Sequence, residues 1–156
     1  MEGVEYTLAN PFKRLMAFII DSIFIQLATI IIMFISGQGD ELMKLAQGSG
    51  IENIEAIMES FMPLIQTMTI IQLILGIFYY GVFQTMSNGS TLGKKLFGIR
   101  IICIDGSDYS LMKGILRYII NAIIMQLCFI LGAVVLFTEF KQGLHDLVVK
   151  TVIVNE

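Results

Sequence analysis

The chain has 156 residues, 56% of them apolar and 15% charged, with a mean hydropathy of +0.80, whereas a soluble domain is about 45–50% apolar and about 25% charged. The apolar excess excludes a disordered chain, a coiled coil and a disulfide scaffold and makes a bilayer the better solvent; 10 Lys+Arg against 13 Asp+Glu, a net charge of −3, excludes a nucleic-acid binder. Two isolated cysteines, Cys103 and Cys128, and a single histidine offer no zinc-type spacing, so neither a metal nor a cofactor is expected.

In chain order, the first apolar run extends from Leu15 to Ile35. A hydrocarbon core about 30 Å thick needs roughly 20 helical residues, and the apolar core of a cleavable leader is only about 7–15. Ser36-Gly37-Gln38-Gly39 is a poor cleavage site, so the run reads as a mature membrane helix. A polar stretch follows, in which Glu52, Glu55 and Glu59 share one helical face and Ile51, Ile54 and Met58 the other. That spacing predicts a short acidic amphipathic helix over about 51–60, lying on the membrane surface. The second span is expected over about 64–85, opened by Pro63, whose missing N–H is harmless in a first turn. Ile99 to Ile104 is β-rich and stops at Asp105-Gly106, a turn dipeptide. The third hydrophobic segment is expected over about 111–137, with Ser110 as its N-cap, and Thr151 to Val154 forms a second short strand.

Lys13 and Arg14 precede the first span, and Lys94, Lys95, Arg100 and Lys113 follow the second; the loop between the spans is acidic, with Lys44 its one cation. The positive-inside bias therefore puts the N-terminus and the 86–114 connection in the cytoplasm and the acidic loop outside. A pair of cytoplasmic strands requires the third segment to bend, with Gly132 as the kink, and return as a re-entrant hairpin; the alternative is three plain crossings with an external tail. Lys141 and Lys150 favour the return. The expected fold is an all-α integral membrane protein of one domain, with three hydrophobic helical segments and a short cytoplasmic strand pair.

Asp21 lies inside the first run, where an ionised carboxylate costs roughly 2.5–3.5 kcal/mol even on the mild insertion scale. Arg14, Ala17, Asp21 and Ala28 share one stripe, and small residues there mark a packed face. Arg14 is about 10.5 Å from Asp21 along the axis, too far for an in-helix pair, so partners must come from distant segments. Arg117, near the start of the third segment, and Asp146, if the chain returns, complete an expected cluster of Arg14, Asp21, Arg117 and Asp146, with His145 beside it as a hydrogen-bonding or pH-sensing residue. Inward polar stripes are also expected at Gln66, Thr69, Gly76, Tyr80 and Gln84, and at Arg117, Asn121, Cys128 and Gly132.

Arg14-x-x-Ala17-x-x-x-Asp21, the stretch Gly89-Ser90-Thr91-Leu92-Gly93-Lys94-Lys95-Leu96-Phe97-Gly98-Ile99-Arg100 with Asp105-Gly106, then Arg117, and finally Gln142-Gly143-Leu144-His145-Asp146-Leu147 before Thr151-Val152-Ile153-Val154 follow one another in this order. The pattern resembles the RDD family of bacterial and archaeal membrane proteins, named for one arginine and two aspartates. The resemblance covers about residues 10–154 and implies Arg14 as the arginine, Asp21 and Asp146 as the aspartates, and a role for which transport of unidentified ligands or ions is proposed. The long acidic outer loop departs from the family pattern.

Gly89 to Lys95 is not a phosphate loop, which needs four residues between its glycines and Ser or Thr after the Lys. Lys94 and Lys95 are instead expected at the level of anionic lipid headgroups. The 10 methionines fall on all faces and act as gap-fillers. With no readable nucleophile constellation, an enzyme is not expected. Two functions stay open: a transport-related protein of the inner (cytoplasmic) membrane that moves a small cation or proton past Asp21, as a homo-oligomer with Ala17, Ala28 or Gly76 at the contact; or a non-transporting accessory or scaffold protein that meets an unidentified protein partner and whose buried charges only lock the fold.

Overall fold

The computed structural model describes residues 6–47, 54–104, 106–127 and 144–155. In chain order it contains α1 (Pro11–Ile35), α2 (Gly39–Gln47), α3 (Ile54–Gly76), a π-helix (Ile77–Phe83), α4 (Gln84–Met86), α5 (Leu92–Leu96), β1 (Ile99–Cys103), α6 (Leu111–Leu127), α7 (Leu144–Val148) and β2 (Thr151–Asn155). Helix α1 and the helical run Phe61–Met86 are each long and apolar enough to cross a membrane.

The distribution of polarity is inverted relative to a water-soluble fold. Phe12, Ile23, Leu27 and Ile31 of α1, and Ile70, Leu73, Ile74 and Phe78 of the second run, are exposed, while Asp21, Gln84, Thr91, Arg117 and Asp146 are buried. Contiguous apolar surface on this scale suits lipid rather than water.

The chain divides into two compact units, Met1–Ser22 with Gly76–Glu156, and Ile23–Leu75. In the first unit β1 and β2 pair antiparallel, Ile99 opposite Asn155 and Cys103 opposite Thr151. A single rung adds the N-terminal segment to the other edge of β2: Leu8 bridges Val154, Ala9 N–H donates to the Ile153 carbonyl at 3.0 Å and Asn155 N–H to that of Thr7 at 2.9 Å. β2 is thus flanked on both sides, which is why Thr151 to Val154 are all buried. Ala9, Ala17, Ile99, Ile101 and Ile153 form the apolar core beneath the strands. Helix α1 starts where Asn10 accepts the Phe12 N–H on its Oδ1 at 3.0 Å and Pro11 supplies a preset first helical residue. In the second unit the side-chain amide of Gln72 donates to Gln26 at 2.9 Å, and Met33 and Leu64 are buried.

Four expectations are changed. The acidic segment is not a separate surface helix: Ile54 to Glu59 belong to α3, which runs through Pro63, while residues 51–53 lie outside the described residues. One missing N–H bond is tolerated because bonds on both sides hold the helix, and the Pro63 carbonyl accepts the Thr67 hydroxyl at 2.9 Å. Helix α2, with Asp40 and Glu41 in its first turn and Lys44 in its last, fits the macrodipole and stands where the sequence suggests only a polar loop. The second span is not uniform, because residues 77–83 widen into a π-helix. Gln66 and Thr69 are exposed, whereas Gly76 and Gln84 of the same stripe are buried.

The third hydrophobic segment is helical as α6, capped where Ser110 Oγ accepts the Lys113 N–H at 3.4 Å. Asp105, Cys128, Gly132 and Lys141 lie outside the described residues. Pairing of β2 with β1 places the chain end beside the 99–103 strand.

Candidate functional site

Asp21, on α1, is 1% exposed. Its Oδ1 accepts the Tyr79 hydroxyl at 2.7 Å and the Gly93 N–H at 2.8 Å, and its Oδ2 accepts the Thr91 hydroxyl at 2.5 Å. Tyr79 is supplied by the π-helix, where its ring stacks on Phe83, and its oxygen also accepts the Leu92 N–H at 3.0 Å. Thr91 is the N-cap of α5, accepting the Lys94 N–H. At Gly93 an added Cβ would strike the Ala17 carbonyl oxygen and lie 2.8 Å from Asp21 Oδ1. Glycine is required there because backbone meets backbone, and the buried Ala17 is the other half of that approach. The Gly89–Lys95 stretch therefore folds as a cradle for a carboxylate. Gly89 makes the preceding turn, at φ +84°, with its missing Cβ replaced by the Ile101 carbonyl.

This corrects one expectation. The partners of Asp21 are two hydroxyls and a backbone N–H, not guanidinium groups, because charge-assisted bonds from neutral donors satisfy a buried carboxylate without an opposing cation. The guanidinium groups act elsewhere. Arg117 Nη2 pairs with Asp146 Oδ1 at 2.6 Å, with side chains 9% and 2% exposed, and Asp146 Oδ1 also receives the Thr151 hydroxyl at 3.5 Å. Arg14 Nη2 donates to the Ile153 carbonyl at 2.8 Å, tying the start of α1 to β2. His145 lies in α7, but its side chain is outside the described residues.

Lys94 joins this cluster, although the sequence suggests only a headgroup contact for it. It is half-buried, and its amine is pushed down to about 7 by burial and then by the Arg117 charge; Asp21 and Asp146 pull it back up and Arg14 pushes it down further. Burial raises the Tyr109 phenol, against the pull of the neighbouring Arg117, and Tyr109 accepts the Gln84 side-chain N–H at 3.2 Å. Lys95 is exposed, with Nζ 5.8 Å from the Phe83 ring centroid. Among the described residues no group of three or more His, Cys, Asp or Glu could hold a metal.

Tyr79, Thr91, Gly93 and Lys94 escape sequence reasoning as a set. Thr91 carries a usable signal, a hydroxyl residue just before Leu-Gly-Lys-Lys that reads as an N-cap; the π-helical placement of Tyr79 carries none. Two small residues expected at an oligomer contact are used within the chain instead, Ala17 against Gly93 and Gly76 against the Tyr118 ring.

The RDD family pattern matches residues 8–150. The chain is 30% identical over 144 residues to a Bacillus subtilis (strain 168) protein named "Uncharacterized protein YxaI", covering 90% of this chain and 93% of that one. It is 37% identical over 68 residues to "Uncharacterized protein YckC" of the same organism, covering 40% of this chain and 45% of that one. No solved structure matches. With the pattern running nearly end to end and a relative 30% identical over 90% of the chain, the chain belongs to the RDD family.

Proposed function

We propose that this chain is an integral protein of the cytoplasmic membrane with a transport-related role, in which the buried ionisable cluster passes protons or a small cation. The observation that supports this reading is the gathering of Arg14, Asp21, Lys94, Arg117 and Asp146, from α1, α5, α6 and α7, into one electrostatic neighbourhood. Ionisable groups are costly at membrane depth and mark proton and ion pathways. Lys94, with its amine near 7, is the group suited to exchange at neutral pH. Asp21 is less suited, since donors already occupy both its oxygens. In this reading the N-terminus and the 86–114 connection face the cytoplasm and Lys95 meets anionic headgroups. A solute path takes more than one copy, because three helical segments enclose little. The chemistry is not enzymatic and uses no cofactor.

The filling of Asp21 favours a second reading, a non-transporting accessory protein in which the same groups clamp α1 to the C-terminal segment. Purified protein in liposomes separates the two. Under an imposed Na⁺ or K⁺ gradient, transport predicts proton movement above that of empty liposomes, lost in Lys94→Gln while its elution profile stays that of wild type. A wild-type protein silent under every gradient leaves the clamp.

A further inference from the structure

Arg117 is the most enclosed cation of the cluster. Its Nη2 is committed to Asp146, yet its Nη1 is buried with no hydrogen-bond partner. A buried guanidinium nitrogen with no acceptor of its own is a costly arrangement, and the Tyr109 phenol beside the guanidinium is neutral, so the place lacks an anionic acceptor. Lys94, on the short helix α5, feels the same guanidinium as its strongest neighbouring charge. The two carboxylates nearby do not fill the gap, because Asp21 is taken by Tyr79, Thr91 and Gly93 and Asp146 by Arg117 and Thr151. With Lys94 protonated, Arg14, Lys94 and Arg117 outnumber Asp21 and Asp146.

We propose that Arg117 Nη1 and Lys94 Nζ, with the charge of Arg14 added to theirs, bind a small oxyanion of the phosphate or sulfate class. An anion between two neighbouring cations turns their repulsion into attraction, and a guanidinium edge matches the spacing of two oxyanion oxygens. Entry is on the α5 side, where Leu92, Lys95 and Leu96 are exposed and Lys94 is half-buried. Two sources supply this chemistry, a free inorganic anion or the phosphodiester of an anionic lipid. Binding favours the charged form of Lys94, which faces Arg117 of α6, Asp21 and Arg14 of α1 and Asp146 of α7. Occupancy therefore takes up a proton and weakens as pH rises past about 7.

The test is calorimetric titration of sulfate, whose charge is constant from pH 6 to 9, into the full chain in phosphatidylcholine nanodiscs at fixed ionic strength. Wild type is expected to bind saturably at pH 6 and about tenfold or more weaker at pH 9. Lys94→Gln should be weakened about tenfold or more at pH 6 and lose the pH dependence. Arg117→Lys, which keeps the charge but not the fork, should also weaken binding; if it fails to fold, Lys94→Gln decides alone. Nanodiscs containing phosphatidylglycerol separate the sources: loss of sulfate binding there assigns the site to the lipid phosphate, and unchanged binding assigns it to a free anion. Absence of saturable binding in wild type, or a Lys94→Gln titration that overlays it, overturns the proposal. Because the readout is occupancy and not flux, a protein that binds sulfate but moves no ions would sink the transport reading and leave this one standing.

Discussion

Replacing Asp21 by alanine removes the acceptor of three donors at once. The Tyr79 hydroxyl at 2.7 Å, the Gly93 N–H at 2.8 Å and the Thr91 hydroxyl at 2.5 Å would then face a site that is 1% exposed. A buried donor left unsatisfied costs about 1–3 kcal/mol; hydroxyls can rotate away and belong at the low end, a fixed N–H at the high end, for a total of about 4–5 kcal/mol. Asparagine keeps the oxygen that Tyr79 and Gly93 share and loses mainly the charge assistance, about 1 kcal/mol per bond, or roughly 2–3 kcal/mol in all. Pulsed thiol labelling of Cys103, which is 5% exposed, reads the opening of the sheet in a Cys128→Ser background. Asp21→Asn should label about 30- to 150-fold faster than the parent, and Asp21→Ala faster still. An alanine variant within about 1 kcal/mol of the parent, or an asparagine variant less stable than the alanine one, would refute the carboxylate cradle.

Gly93→Ala should cost about 3–4 kcal/mol, combining overpacking against the Ala17 carbonyl with a weakened bond to Asp21; the same labelling measures it, and a neutral outcome means that α1 and α5 do not approach as described. Lys94 should give a pH signature. Its folded value of about 7 lies below the ordinary 10.5, so the native state binds fewer protons than the unfolded one between these values. The penalty is complete below about pH 7 and fades as pH rises toward 10.5, and stability should climb through that window. The thermal midpoint by circular dichroism at pH 7, 8 and 9 should rise in wild type and lose that component in Lys94→Met.

What was legible in the sequence is what leaves a pattern at the residue-type level. Leu15 to Ile35 is a span by length alone, and the β-branched runs at 99–104 and 151–154 are strands by composition. A cluster of Arg14, Asp21, Arg117 and Asp146 could be expected because a lone charge does not persist in apolar surroundings, but nothing in the residue types says which cation meets which anion, and Arg117 with Asp146 is read only from the structure. The partners of Asp21 were hidden for a different reason. Two hydroxyls and a backbone N–H carry no charge pattern, and one of them reaches Asp21 from a π-helix whose i→i+5 turn moves Tyr79 off the face a 3.6-residue wheel assigns it. Pro63 misled in the same way: proline is commonest at a helix start, but here bonds on both sides carry α3 through it. Lys94 and Lys95 are adjacent and alike in sequence, and only the short helix α5 turns one toward the cluster and leaves the other exposed.

The tie between α6 and the C-terminal segment rests on Arg117 and Asp146, and a double-mutant cycle on that pair measures it directly. Arg117→Met alone leaves a buried carboxylate without its cation, at a cost of about 3–5 kcal/mol, and Asp146→Leu strands the guanidinium at a similar cost. The double variant Arg117→Met/Asp146→Leu should regain most of that loss, giving a coupling of about 3 kcal/mol or more. Losses that simply add, with a coupling near zero, would mean that these two charges do not meet and that the buried cluster is not what joins the ends of this fold.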